Sequence, residues 1–153
     1  MGSSPLRYWV GFNIVPQIGP ARLRALLQHF GSLEAAWQAD PGALQAAGLD
    51  RRALANLLAI RKSLDLDREL ERLDRAGVTV LTWEDAAYPA RLREISASPP
   101  VLYLRGSLLS DDEWAVAVVG TRHPSAYGLE MARQLAGDLA RNRITVVSGL
   151  ARG

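Results

Sequence analysis

Over its first half the chain repeats apolar positions at helical spacing. Leu23, Leu26, Leu27 and Phe30 fall at i, i+3, i+4 and i+7, and Leu54, Leu57, Leu58 and Arg61 continue the style. A further helix is predicted over 65–75, with Leu66, Leu70 and Leu73 inward and a Glu71–Arg75 pair on its wet side. Gly19-Pro20, Gly31-Ser32, Asp40-Pro41-Gly42 and Gly48-Leu49-Asp50 break the pattern into four or five short helices. Ser32, Asp40 and Asp50 are suited to cap them, and Gly77 to stop the last. Near Ala76-Gly77 the pattern changes to strands, predicted over 78–82 and 101–104, with a turn-rich loop at 83–89 and a helical turn at 90–95 between them. Residues 115–119 form a continuous small apolar run, the signature of a strand buried on both faces of a parallel sheet. After Gly120-Thr121-Arg122 comes a helix with Met131, Leu135 and Leu139 on one stripe and Ala132, Ala136 and Ala140 beside it. A β-branched strand at 144–147 then exits into Ser148-Gly149-Leu150-Ala151-Arg152-Gly153. The chain is thus an α/β protein, helical over 5–75 and strand-bearing over 76–153.

The last of these segments is a β-α-β unit. Crossovers between parallel strands are right-handed, so both exit loops are expected at one sheet edge, where open α/β sheets bind ligands. Glycine lets the main chain approach a ligand with its N–H groups exposed. A helix beginning just after the first loop adds the positive end of its dipole. Arginine adds a planar fork that matches phosphate oxygens. The loop Gly120-Thr121-Arg122 and the loop that begins at Ser148, bearing Arg122 and Arg152, are therefore expected to form a positive, backbone-rich phosphate cradle. Neither G-x-G-x-x-G nor a Walker-type G-x-x-x-x-G-K-[ST] is present, so this is not a dinucleotide or ATP loop.

Gly120-Thr121-Arg122, Tyr127-Gly128 and Val146-Val147-Ser148-Gly149-Leu150-Ala151-Arg152-Gly153 closely resemble the core of the DNA-processing protein A (DprA/Smf) family. Ala76-Gly77-Val78, Tyr88-Pro89 and Pro99-Pro100-Val101-Leu102-Tyr103-Leu104-Arg105-Gly106 fit the same family in order and spacing, so the resemblance runs from about Ile18 to the end. It implies a cytoplasmic, non-enzymatic protein that binds single-stranded DNA on an extended Rossmann-like domain. It implies a role in natural transformation (competence) and homologous recombination, loading incoming strands onto the recombinase RecA. Carried over by residue, Gly120 and Arg122 contact the DNA backbone, and Ser148, Gly149 and Arg152 line the same pocket. The family pattern continues beyond Gly153 into a further glycine-rich loop and surfaces for a homodimer and for RecA. This chain is accordingly expected to be the front part of a longer protein, or a fragment, with the Rossmann-like domain incomplete over 76–153.

In the helical half, Val15-Pro16-Gln17-Ile18-Gly19-Pro20-Ala21-Arg22 resembles a helix-hairpin-helix turn, which offers backbone N–H groups to DNA phosphate. The half is expected to be a small SAM/helix-hairpin-helix-like domain. Gln17 stands where such a turn usually has glycine. Two readings stay open, DNA contact and a packing or protein-contact module, and Arg22, Arg24, Arg51 and Arg52 suit either. Trp83 and Tyr88 are expected to pack rather than stack on bases. The run Asp111-Asp112-Glu113 reads as a solvated turn rather than a metal site.

Composition narrows the classes. The 153 residues are 48% hydrophobic, enough for one ordinary core or two small ones. Eighteen basic against 16 acidic residues give a net charge of +2, so bulk electrostatics does not hold a polyanion and placed arginines must. Cysteine is absent, which excludes a disulfide framework and fits a reducing compartment. No apolar run reaches the roughly 20 residues of a membrane span, and the N-terminus lacks signal architecture. The rival class is a nucleotide-binding enzyme, such as a phosphoribohydrolase on a similar scaffold. For acid–base work the sequence offers His123 and Glu130 near the loops and His29 on a packed helix. There is no Ser-His-Asp set, metal-ligand spacing or nucleophile elbow. No catalytic residue, metal or cofactor is expected.

Overall fold

The computed structural model describes residues 5–151. The chain is mixed α/β and divides into two compact units, Met1–Gly106 and Ser107–Gly153. Among the described residues no helix is long and apolar enough to cross a membrane.

In the first unit, α1 (Leu6–Ile14), α2 (Pro20–Phe30), α3 (Leu33–Gln38), α4 (Pro41–Ala46), α5 (Arg51–Ser63) and α6 (Leu66–Arg75) follow one another. Side chains set their starts. Ser32 Oγ accepts from the Ala35 N–H (3.1 Å), Asp40 from Gly42 and Ala43, and Asp50 from Arg52 and Ala53. Asp65, read from sequence as the first residue of its helix, is instead the cap of α6. Gly31, Gly48 and Gly77 end their segments with left-handed φ values of 75°, 98° and 64°. The Glu71–Arg75 pair forms at 2.8 Å.

Periodicity does not single out α1, because Tyr8, Trp9, Val10, Gly11 and Phe12 are all buried and leave no polar face to mark a period. Its apolar surface makes the centre of the core with Leu23, Leu26, Leu33, Leu44 and Leu57. Phe12 meets Trp37 edge-on at 5.1 Å. His29 lies on a packed helix as expected, but on its exposed side: Leu23 and Leu26 point α2 inward, and His29 lies off that stripe against Phe30.

A hairpin completes this unit. β1 (Thr79–Thr82) pairs antiparallel with β2 (Val101–Leu104), Thr79 opposite Leu104 and Thr82 opposite Val101, with the short α7 (Ala90–Glu94) between. Val101 enters the helical core, and Trp83 meets Trp9 edge-on at 5.9 Å. The change of pattern at Ala76-Gly77 and the change of packing after Gly106 are therefore different boundaries. Trp83 and Tyr88 are packed. The Trp83 Nε1–H donates to Ser98 Oγ (3.2 Å), and the Tyr88 hydroxyl donates to the Pro99 carbonyl (2.7 Å).

In the second unit a 3-10 turn (Ser110–Glu113) leads into β3 (Ala115–Ala117), α8 (Ala126–Arg141) and β4 (Thr145–Val147). The strands are parallel, with Ala115 opposite Thr145 and Ala117 opposite Val147, so the β-α-β unit forms as expected. Two expectations fail. The strands are not buried on both faces: Val116 and Val147 are 41% and 51% exposed, because two strands and one helix cannot cover two faces. Nor is the predicted apolar stripe of α8 buried: Met131 and Leu135 are 42% and 52% exposed, and Leu139 is only partly covered, as are Gly128, Ala136 and Gly137. In the acidic turn Glu113 is exposed, and the side chain of Asp111 lies outside what is described. Asp112 accepts from the Leu109 N–H (2.8 Å) and from the Thr145 hydroxyl (2.9 Å), tying the turn to the start of β4.

Candidate phosphate-binding site

Gly120-Thr121-Arg122 follows β3, and Ser148-Gly149 follows β4. Parallel pairing brings the two exits to one end of the sheet, where they border a single cavity of about 400 Å3. Gly120, Thr121, Ser148 and Gly149 line it, with Ala151 beyond. A Cβ built on Gly120 or Gly149 meets nothing within 4 Å, so the main chain there is open to a ligand.

The cavity's other wall is the N-terminus of α8, the helix expected to bring its dipole there, through Pro124, Ser125, Gly128, Leu129 and Ala132. Ser125 Oγ caps the helix by accepting from the Gly128 N–H (3.1 Å), and no acidic residue sits in the first turn. The Ala126 and Tyr127 amides have no acceptor within the helix, and the positive end of a 16-residue helix lies at the site. The signal was present in the sequence: a serine ahead of an apolar-periodic helix is an N-cap, and its helix had to begin beside the first loop.

Both loops are held by their own hydroxyls. Thr121 Oγ1 accepts from the His123 N–H and Ser148 Oγ from the Leu150 N–H, each at 3.2 Å. Leu150 takes a left-handed φ of 48°. Among the described residues no carboxylate lines the cavity. Arg122 is exposed, has no ion pair among the described residues, and is not among the lining residues. Arg152 lies outside the described residues, as does Gly153.

The acid–base candidates are not assembled. His123 and Glu130 are exposed and do not line the cavity, and Glu130 accepts from the Gln134 amide (3.1 Å). Among the described residues no three His, Cys, Asp or Glu side chains are placed to hold a metal ion.

The helical turn is a separate matter. Gln17 adopts φ 69°, the left-handed conformation that glycine usually supplies, so its substitution does not alter the turn's handedness. Asn56 Nδ2 donates to the Pro16 carbonyl (3.2 Å), and Arg22 donates to the Gln17 carbonyl (2.6 Å) while pairing with Asp50. Arg24 stacks over Trp83 at 4.7 Å. Both arginines thus have partners within the unit, and Arg24, Arg51 and Arg52 are exposed.

Comparison with known proteins adds names to the geometry. A family model described as DNA recombination-mediator protein A matches residues 79–153. The chain is 35% identical to Protein Smf of Synechocystis over 158 residues, covering 100% of this chain and 40% of that protein. A putative DNA processing protein DprA of Mycobacterium tuberculosis is 34% identical over 161 residues, covering 96% and 40%. DNA processing protein DprA of Bacillus subtilis is 31% identical over 130 residues, covering 76% and 42%. The likeness to the first extends through the segment before Ile18, and the chain spans about 40% of these relatives' length.

Proposed function

The chain belongs to the DNA recombination-mediator protein A (DprA/Smf) family, and on that premise we propose that its second unit captures the phosphates of single-stranded DNA. One observation carries the reading: two glycine loops and a helix N-terminus border one cavity with no carboxylate in its wall. A pocket without acids suits a polyanion and is poorly equipped for proton transfer, so the reading is of a binding protein rather than an enzyme. Gly120, Gly149 and the first amides of α8 take phosphate oxygens through N–H groups. Thr121 and Ser148 add hydroxyl contacts. Arg122, in water beside the mouth, neutralises the strand, and Arg152 does the same from the second loop. The contacts go to phosphate and sugar, so capture is indifferent to sequence.

Within this proposal, residues 76–153 are the first part of a Rossmann-like domain and 5–75 a SAM/helix-hairpin-helix-like domain. The family model's start at residue 79 supports the first assignment. The captured strand passes to a RecA-type recombinase in the cytoplasm, during transformation and recombination, and the complete protein works as a homodimer.

The test is fluorescence anisotropy of labelled oligo-dT against the full chain over a range of salt, with duplex DNA and a mononucleotide as competitors. Salt-sensitive binding displaced by single strands alone is the expected result. Arg122→Ala weakens it uniformly across sequences and lowers the salt slope by about 0.7 per lost contact. Displacement by the mononucleotide, or an unchanged salt slope in Arg122→Ala, overturns the assignment.

A further inference from the structure

We propose that the phosphate site selects oxyanions that carry no proton, and that the hydroxyls of Thr121, Ser125 and Ser148 set this preference; it rests on the phosphate-capture reading above. The ligand class is the internal phosphodiester of a strand, whose free oxygens only accept hydrogen bonds. Inorganic phosphate keeps a proton near neutral pH and is disfavoured, so the free ion does not hold the place of the strand.

Among the described residues these three hydroxyls are the only polar side chains in the cavity wall. Each already accepts from a main-chain N–H two or three residues further on. Thr121 Oγ1 accepts from His123 (3.2 Å), Ser125 Oγ from Gly128 (3.1 Å) and Ser148 Oγ from Leu150 (3.2 Å). A hydroxyl has one hydrogen and two lone pairs. The local N–H engages a lone pair and pins the oxygen, which leaves the hydrogen to point elsewhere. Among the described residues none of the three O–H groups has an acceptor. The same arrangement recurs on three segments, after β3, at the start of α8 and after β4, so one cavity gathers three free donors. The Ala126 and Tyr127 amides at the start of α8 add donors of the same kind.

A wall of donors discriminates by the ligand's proton. Every oxygen of a fully ionised oxyanion can accept from it. A P–O–H in place of such an oxygen needs an acceptor, and no carboxylate, amide or imidazole stands among the lining side chains to supply one. Set against an O–H or N–H of the wall, that group leaves a hydrogen bond unmade and brings two hydrogens together. The surrounding charges do not make the same choice. Arg122 and His123 on the first loop and Glu130 on α8 are exposed, and they act alike on two ions of equal charge.

Sulfate and inorganic phosphate test this, because at about pH 8 both are dianions of one shape and differ by a single proton. The full chain is titrated with each sodium salt at constant ionic strength, and the Gly120 and Gly149 amide signals are followed by NMR. Sulfate is expected to shift them at about tenfold lower concentration, the size of one hydrogen bond to a charged group. Thr121→Val and Ser148→Ala each weaken sulfate binding and narrow the gap. Ser125→Asp is the decisive variant: aspartate keeps the helix cap but puts a proton acceptor in the wall, so the preference inverts and phosphate binds more tightly than sulfate. Equal affinities in the unaltered chain, or a preference for sulfate that survives in Ser125→Asp, overturn the proposal and leave phosphate capture standing. If neither anion moves these signals the proposal falls as well, and phosphate capture falls with it where oligo-dT also leaves them unmoved.

Discussion

The two units draw on a similar supply of leucine, alanine and valine and spend it differently. The first closes on itself: Phe12, Leu26, Leu44 and Leu57 are 0% exposed, and every helix start from α3 to α6 is capped by a side chain. In the second unit none of the described residues is buried, and Val119 and Leu150, flanking the glycine loops, are 87% and 94% exposed. The candidate chemistry sits in the open unit. Backbone amides bind an anion only where no protein acceptor holds them, as at the first turn of α8.

The largest effect that tests this contrast comes from a pair of truncations, one in each unit. Phe12→Ala is expected to cost about 3–5 kcal/mol, because a ring with an edge-on partner leaves a cavity the helices cannot close. Leu135→Ala removes a side chain that is 52% exposed and is expected to stay within about 0.5 kcal/mol. Urea denaturation of both variants reads the difference. Equal losses mean that α8 is packed as tightly as α1, and the contrast fails.

What the sequence revealed divides along the same line. Caps are local, and Ser32, Asp40 and Asp50 were legible because each needs only the few residues after it. The two loops of the candidate site were legible for a related reason, since a glycine exit from a parallel strand has one edge to go to. The rest required partners far along the chain. The burial of the hairpin against α1 depends on Val101 and Trp83 finding a core built mainly before residue 60. On α8, the stripe of Met131, Leu135 and Leu139 was legible, but its burial was not, because a two-stranded sheet leaves Met131 and Leu135 42% and 52% exposed. Gln17 shows a different limit, because a residue other than glycine takes the positive φ there, with its carbonyl accepting from Arg22 and the Pro16 carbonyl from Asn56.

Glycines give the next largest effect and sharpen the comparison residue for residue. A Cβ on Gly11 stands 2.6 Å from Leu66 Cδ2 and 3.0 Å from the Trp37 ring, so Gly11→Ala overpacks the first unit. Alanine's better helix propensity offsets about 1 kcal/mol, leaving a net loss of about 1 kcal/mol in thermal or urea unfolding. Gly120→Ala meets nothing within 4 Å and is expected to leave the melting temperature unchanged. Its consequence lies in the oligo-dT titration, where the new methyl stands between the main chain and a phosphate. A fold defect in Gly120→Ala, with binding intact, places that glycine with Gly11 as a packing residue.

The smallest effect is electrostatic, and it asks whether the open unit has any point of closure comparable to a helix cap. Asp112 is that point. The Leu109 N–H first, and then the Thr145 hydroxyl, hold its carboxyl below the ordinary carboxylate range. Asp50, held low chiefly by the Ala53 N–H at the start of α5, is its counterpart in the closed unit. A depressed folded value means that the stabilisation is fully present above the unfolded value of about 3.9 and is lost as pH falls through the folded one. Thermal melts followed at the Leu109 and Thr145 amide signals should therefore shift down as pH falls below about 4. In Asp112→Asn no charge remains to titrate, so that acid-dependent component disappears while the neutral-pH melt moves little at this exposed site. Were the acid shift to survive in Asp112→Asn, the turn and β4 would be joined by something other than this carboxylate, and the second unit would have no capped start of its own outside α8.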